Sequence, residues 1–332
     1  MKDDPDDLYE QADVHYYAGR LDDAEALYHR ILEIDPVHQG ALHSIGIVRY
    51  DQDDYAPAIR YFLKALDVDP TDQYVHSNLG KALYGLHHAG SREDAVVVAR
   101  QWAADYPDNP IAAHMVAAVT GKDMPDRANS AYVRKTFDEF AESFETKLEE
   151  LEYRAPALIV DAMTPYFGKP KNLHILDAGC GTGLCAPLLK PLAKRLDGID
   201  LSGEMLAIAK KKKLYDRLDE GDLSATLAKR KKTYDGIVAA DVLCYFGDLS
   251  DILDRFHASL KPGGLLGFSV QRNRGKTKYV LETSGRYCHG KGYVADILER
   301  NGFTVLSNKR ETLRTEYGNP VEGRVLIARK ED

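Results

Sequence analysis

Two spacings of apolar positions divide the chain near residue 125. In the first part, apolar and small residues return every three or four positions, as on the buried stripe of an amphipathic helix. The stretches "DDAEALYHRILEIDP" (22–36) and "APAIRYFLKALDVDP" (56–70) are both such stripes, each closed by an Asp-Pro step that cannot continue a helix. They are also one pattern written twice. Ala24 and Ala58, Tyr28 and Phe62, Pro36 and Pro70, and Gly46 and Gly80 all stand 34 residues apart. A period of this length predicts stacked helix pairs, with small residues where helices cross closely. A third copy runs from Tyr74 to Pro107 with a short insertion near "GLHHAGS", and Ala95 takes the place of Ala24. "IAAHMVAAVTG" (111–121) reads as a closing helix.

From residue 172 the pattern changes to short apolar runs alternating with helical stripes. "LHILDA", "RLDGID", "YDGIVAAD" and "GGLLGFSV" read as strands. Between them stand expected helices at Leu184–Leu192, limited by Pro187 and Pro191, at "SGEMLAIAKKKK" with Ser202 as N-cap, and at "LSDILDRFHASL". Pro262-Gly263-Gly264 makes the turn into the fourth of these runs. "GYVADILERNG" is a helix stopped at Gly302, and "FTVLSN" and "GRVLIARK" close the sheet. Such alternation predicts a doubly wound α/β domain, whose ligand lies beyond the carboxyl ends of the strands. Between the two patterns, Tyr132, Phe137, Phe140 and Phe144 fall at mostly helical spacing in a helical cap over 126–170. The expected domains are therefore 1–125 and 126–332.

Length and composition support this division. The chain has 332 residues, 44% of them hydrophobic, enough for two cores. No apolar run reaches the length of a membrane span. The opening "MKDDPDDLYE" is acidic and polar, unlike a signal or transit peptide. Four cysteines (Cys180, Cys185, Cys244, Cys288) form no CxxC pair, so a reduced, cytoplasmic chain without a metal site is expected. The net charge of −8 is uneven: residues 1–125 hold 10 basic and 22 acidic residues, the remainder 34 and 30. An acidic repeat is a poor nucleic-acid platform. The lysine runs 210–213 and 229–232 lack a base-stacking aromatic cluster and read as solvated surfaces, which argues against a nucleic-acid substrate.

The chemistry starts at "HILDAGCGTGLCAPLLK" (174–190). A strand ends in Asp177 and breaks into Gly179, Gly181 and Gly183. A dinucleotide fingerprint would be G-x-G-x-x-G; here the third glycine comes one residue early. The pattern D-x-G-x-G-x-G resembles the first motif of class I S-adenosylmethionine-dependent methyltransferases, and the 34-residue period resembles the tetratricopeptide repeat. Glycines suit a ligand without a pyrophosphate, because the backbone presses against its adenosine and amino-acid parts. The resemblance implies a cofactor site of Asp177, Gly179, Cys180, Gly181 and Gly183, with Asp200 and Leu201 at the ribose. It implies Asp222 and Leu223 at the adenine and Asp241 in the segment "AADVLCYFGDL" facing cofactor and acceptor. The helix carrying Tyr132, Phe137, Phe140 and Phe144 is either a lid over the cofactor or a plain core stripe. Together the segments resemble bacterial predicted methyltransferases fused to tetratricopeptide repeats.

Methyl transfer from a sulfonium is an in-line displacement that needs a base only if the nucleophile must lose a proton. Of the three histidines after residue 125, His174 starts a strand and His257 lies in a helix. His289 falls in "SGRYCH", read as a loop with Ser284, Arg286 and Tyr287 bordering the acceptor. His289 is thus either a base or a positioning residue, Arg286 either an anion clamp or a structural ion pair, and Tyr245 an acceptor-facing candidate. Three functions stay open. The first is a methyltransferase acting on an O or N atom, with the repeats docking a protein, peptide or carrier-bound substrate. The second acts on a free small molecule or lipid, with self-association through the repeats. The third is a scaffold that binds the cofactor without turnover.

Overall fold

A computed structural model describes residues 4–168, 172–316 and 318–331. The first three residues of the acidic opening, Lys169 and Pro170 of the expected cap, and Asp332 lie outside the described residues. The chain forms two compact units, Met1–Asp123 with Thr283–Gly285, and Met124–Glu282 with Arg286–Asp332.

The first unit is three helix pairs and a closing helix. These are α1 (Pro5–Tyr17) and α2 (Leu21–Ile34), α3 (Gln39–Asp51) and α4 (Tyr55–Val68), α5 (Gln73–His88) and α6 (Arg92–Asp105), then α7 (Pro110–Thr120). Side chains of Asp4, Asp72 and Asn109 accept from first-turn N–H groups of α1, α5 and α7, satisfying donors that a helix leaves open. The repeated positions fill the core: Ala24, Tyr28 and Ile31 in one copy, Ala58, Phe62 and Ala65 in the next. The third copy moves the bulk. Ala99 stands where Tyr28 and Phe62 stand, and Trp102 stands where Ile31 and Ala65 stand, all buried. The Trp102 indole donates to His76 Nδ1 at 2.9 Å.

The second unit opens with α8 (Ser130–Phe140), α9 (Phe144–Glu150) and α10 (Ala155–Met163). Then follow β1 (Leu173–Ala178), α11 (Ala186–Leu189), β2 (Ala193–Asp200), α12 (Gly203–Lys211), β3 (Arg217–Glu220), α13 (Leu223–Leu227) and β4 (Tyr234–Ala239). The remainder is α14 (Ser250–Ser259), β5 (Leu260–Arg272), β6 (Tyr279–Leu281), β7 (Tyr287–His289), α15 (Lys291–Arg300), β8 (Phe303–Glu316) and β9 (Asn319–Lys330). Strands β3, β2, β1, β4 and β5 are parallel neighbours; β9 pairs antiparallel with β5 and β8 with β9. Alternation along each strand splits the core between the sheet's two faces. Leu176, Ile237, Leu266 and Leu326 pack with α14 and α15 residues, whereas Ile175, Val238, Leu265 and Ile327 pack with α10 and α11 residues. No helix among the described residues is long and apolar enough to cross a membrane.

Three expectations need correction. The helix expected at Leu184–Leu192 is a single turn, Ala186–Leu189, because Pro187 and Pro191 deny it N–H donors. The stretch read as a loop around Tyr287 to His289 is a strand: Tyr287–His289 pairs antiparallel with β6 and touches the end of β5 in parallel. The closing strands are longer than their apolar runs. Their ladder continues from Phe303↔Lys330 to Glu316↔Asn319 through two bulges, carrying polar residues that periodicity alone does not mark.

The repeat offers a direct test of packing. A Cβ at Gly46 would collide with the Phe62 ring, which is fully buried. Gly46→Ala is expected to destabilise the first unit by about 1–3 kcal/mol through overpacking. Trp102 is the chain's one tryptophan, so urea unfolding followed by its emission reads this unit selectively.

Candidate cofactor and acceptor site

The loop after β1 is shaped by backbone that only glycine adopts readily. Gly179, Gly181 and Gly183 have φ of 68°, 51° and 89°, the left-handed region. A side chain at Gly179 would also run into Val242. The N–H groups of Gly179 and Cys180 both donate to Ile199 O, at 2.8 and 3.0 Å, which binds the loop to the end of β2.

At that end stands Asp200. Its Oδ2 accepts from Gly181 N–H at 2.8 Å and its Oδ1 from Ser202 N–H at 2.9 Å. Burial raises its pKa, while the N–H groups of Ser202 and Gly181 work the other way. Each oxygen keeps acceptor capacity beyond one N–H, as two vicinal hydroxyls would require. Next to it, Leu201 O accepts from Arg134 Nε at 3.1 Å, tying α8 to the same corner.

Asp177 lies beneath the loop, 1% exposed. Tyr215 OH donates to its Oδ2 at 2.6 Å. Burial pushes its carboxyl up to about 7, against the Tyr215 hydrogen bond and with the Asp200 charge. Burial likewise raises the Cys180 and Cys185 thiols, so neither is a thiolate at neutral pH.

The aromatic stripe of α8 and α9 reaches this loop at Phe144. Phe144 lies 3.8 Å from where a Cβ at Gly181 would stand. Edge-on ring pairs join Phe140 to Phe144 (5.8 Å), Phe144 to Phe137 (6.0 Å) and Phe137 to Tyr245 (5.6 Å). Polar ties hold the same helices down: Ser202 Oγ donates to Asp138, and Lys212 pairs with Glu145 at 2.6 Å. The phenylalanines are half-buried and Tyr132 is buried. The stripe is therefore packed, with Phe144 next to the glycine loop.

Asp222 caps α13 by accepting from Ala225 N–H at 3.1 Å. Its other oxygen takes hydrogen bonds from Arg127 and Ser130. Burial opposes its charge, yet Arg127 and the α13 N–H group prevail and its pKa falls. Leu223 beside it is buried.

Beyond β4 lies a charged network. Asp241 has a φ of 53°, a strained value for a residue with a side chain. Ser269 Oγ donates to its Oδ1 at 2.7 Å, and Arg314 pairs with its Oδ2. Arg314 reaches Glu316 at 2.7 Å, and Arg286 pairs with that same Glu316 oxygen. Burial acts against the Glu316 charge, but Arg286 and Arg314 bring its pKa down to about 2. Arg286 is thus an ion-pair member. It stands beside Tyr245, whose hydroxyl burial pushes up to about 12. Tyr287 is fully buried and donates to Pro125 O at 2.7 Å.

His289 is 1% exposed, with Nε2 at 2.8 Å from Phe246 O and 3.2 Å from Gly247 O. Two carbonyl partners require that Nε2 carry the proton. Burial pulls its pKa down to about 4. It therefore pins the segment after Tyr245 as a neutral ring.

Sequence reasoning missed Tyr215, Arg127, Ser130, Asp138, Arg314 and Glu316. Arg127 and Ser130 stand at the start of the expected cap, a weak signal. The others reach the site only through sheet order and helix packing.

The Asp177–Tyr215 bond gives a pH-dependent test. The folded pKa of Asp177 lies above the ordinary carboxylate value, so this group costs stability as pH rises from about 4 through about 7. Tyr215→Phe is expected to cost about 1.5–3 kcal/mol at pH 8, where the bond is to a carboxylate, and about 0.5–1.5 at pH 5, where it is to a neutral acid. Urea unfolding followed by circular dichroism at both pH values measures the difference; equal costs would show that Asp177 does not titrate between them.

Comparison with known proteins agrees with this architecture. A methyltransferase-domain family model matches residues 148–308 and a tetratricopeptide-repeat model residues 7–71. Methyltransferase-like protein 27 of Homo sapiens is 32% identical over 164 residues, covering 47% of this chain and 63% of its own length. The chain spans 63%, 48% and 58% of the length of three curated relatives it matches. Among solved structures, the Burkholderia thailandensis 1,6-didemethyltoxoflavin-N1-methyltransferase with bound S-adenosylhomocysteine has a TM-score of 0.50 at 21% identity, covering 63% of this chain and 93% of its own. The cyclase SpnF has a TM-score of 0.51 at 19% identity, covering 62% of this chain and 98% of its own. The sheet order, the glycine loop and the two family models converge: the chain carries a methyltransferase domain on a Rossmann-like fold, preceded in sequence by tetratricopeptide repeats.

Proposed function

We propose that this chain is an S-adenosylmethionine-dependent methyltransferase (EC 2.1.1.-) that acts on an oxygen or nitrogen atom of its acceptor. The observation that carries this reading is the pairing of the left-handed glycine loop with Asp200, whose carboxylate is already aligned by two backbone N–H groups. Fold likeness alone does not select the reaction, since a cyclase shares the fold.

The residues fit the cofactor. Gly179, Gly181 and Gly183 give a side-chain-free backbone, Asp200 offers acceptors to a ribose, and Asp177 offers a buried carboxyl to a cation. Asp222 and Leu223 stand at the adenine end and Asp241 at the acceptor side. S-adenosylmethionine, when bound, supplies a methyl group already activated on a sulfonium. The protein's own part is then alignment and exclusion of water. Phe137, Phe140 and Phe144 over the loop serve the second task, and Tyr132, Tyr245 and Tyr287 wall the acceptor side.

His289, Tyr245 and Arg286 supply no ready base on the acceptor side. His289 has a pKa of about 4, Tyr245 of about 12, and Arg286 is ion-paired. These three position the acceptor rather than take its proton. Such a site suits a nucleophile that arrives without a proton to lose, as a carboxylate does.

The repeats dock a protein, peptide or carrier-bound partner. Tyr17, Val37, Tyr74 and Val97 stay exposed in that unit, which favours docking. On this reading light scattering after size exclusion gives a monomer near 37.0 kDa; a dimer would favour self-association.

The cofactor assignment is tested by calorimetry with S-adenosylhomocysteine. Asp200→Ala, with its circular dichroism unchanged, is expected to bind at least about 10-fold more weakly, since a charged hydrogen-bond acceptor is removed. Methyl transfer from labelled S-adenosylmethionine into a cell extract should fall with it. Wild-type affinity in the variant would sink the reading.

A further inference from the structure

A cleft of about 810 Å³ opens where β5 ends and α15 begins, and the reading above makes no use of it. Six basic side chains line it: Arg272, Lys276, Lys278, Lys291, Arg300 and Arg324. Two acidic ones, Asp248 and Asp296, stand with them. Residues 126–332, which hold the cleft, carry 34 basic and 30 acidic residues, so six cations against two carboxylates is a local excess of positive charge.

Half of these cations have a local partner. Arg272 pairs with Glu322 at 2.9 Å, and Arg324 donates to Asn308 at 2.6 Å. Lys278 faces Asp248, which also accepts from Ser250 N–H at 2.8 Å and from Tyr293 OH at 3.2 Å. Lys276, Lys291 and Arg300 have no ion pair among the described residues. Like charges gathered in one concavity focus its field and attract an anion.

The wall carrying Lys276 and Lys278 is built rather than loose. Asn273, 9% exposed, donates from Nδ2 to Thr277 O and Thr277 Oγ1, both at 2.9 Å, and accepts from Gly275 N–H at 2.7 Å. The opposite wall is the first turn of α15, Gly290 to Tyr293, whose partial positive charge has the same sign. The three unpaired cations are two lysines, compact point charges, and one arginine, and both kinds of side chain bind phosphate.

The cleft also adjoins the acceptor end. Arg272 ends β5 and Asn273 follows it, at the carboxyl end of the strand, where ligands of such sheets bind. Tyr293 stacks on His289 (6.2 Å between ring centroids, 14° between planes), and His289 holds the carbonyls that follow Tyr245. We propose that this cleft is an anion subsite for a phosphate group carried by the methyl acceptor. The anion site stands on the cleft itself; its assignment to the acceptor rests on the methyl-transfer reading.

Calorimetric titration of the full chain with inorganic pyrophosphate and with glycerol 3-phosphate tests the site. Saturable binding is expected, weakening with salt, and weaker by about 10-fold or more in K276Q/K291Q/R300Q, while K210Q/K211Q on the exposed α12 run changes it by no more than about 2-fold. S-adenosylhomocysteine binding should be equal in all three proteins. Absence of saturation, equal loss in both variants, or citrate bound as tightly as pyrophosphate would overturn the phosphate site. A second arm treats the cell extract with phosphatase before labelling. Loss of methyl acceptance is expected, and undiminished labelling would overturn the acceptor assignment. No labelling in the untreated extract would sink the methyl-transfer reading and that assignment together, leaving the anion site to the titrations.

Discussion

One carboxylate organises the second unit. Asp200 accepts an N–H from the loop after β1 and another from the turn into α12, so the loop and the turn cannot move independently. The constraint begins in the sheet, where β1 and β2 lie side by side in parallel and bring their carboxyl ends together. It spreads outward through Ser202, which caps α12 and also donates to Asp138 on α8. Loop, helix start and overlying helix thus meet at a single residue. Glycine at three positions is the cost of that arrangement, since left-handed backbone without side chains gives up conformational entropy on folding.

A second organising effect is the placement of buried charge. At the end of β1, Asp177 has the Tyr215 hydroxyl and the Cys185 thiol as partners and no cation, and burial raises its pKa to about 7. At the end of β8, Glu316 shares two arginines and its pKa falls to about 2. Burial opposes the charge of both, more at Asp177, which is buried, than at Glu316, which is half-buried, and the two arginines decide the direction at Glu316. The outcome is one acid near its titration point and one that stays ionised, a few strands apart on the same sheet. The Arg314 bridge between Asp241 and Glu316 also explains how Asp241 is held in a backbone region that side chains disfavour.

Much of this was legible in the sequence, because the relevant signals are local. The 34-residue interval marks helix pairs, since each copy must bury the same stripe. The glycine spacing marks the loop, since left-handed backbone needs glycine where the chain turns out of β1. Asp200 is marked by ending an apolar run. Features set by long-range packing were hidden. Tyr215 reaches Asp177 from 38 residues away, and nothing around it signals that partner. His289 looked like a loop residue because strands of three residues, such as Tyr287–His289, are too short to show an alternation. The ion pairs of Arg314 and Glu316 depend on a β8–β9 ladder that runs through polar residues.

The displaced bulk in the third helix pair has a consequence for the repeat as a whole. By spacing, the three copies are versions of one unit. By volume they are not: Tyr28 with Ile31, Phe62 with Ala65, and Ala99 with Trp102 divide the same buried space in three different ways. Each division matches the surfaces next to it, such as His76 and Gly80 beside Trp102. The units are therefore ordered parts rather than interchangeable modules. Exchanging α2 for α6 would keep every helix boundary and still leave a void at one position and a clash at another, so serial order is written into the volumes of the side chains.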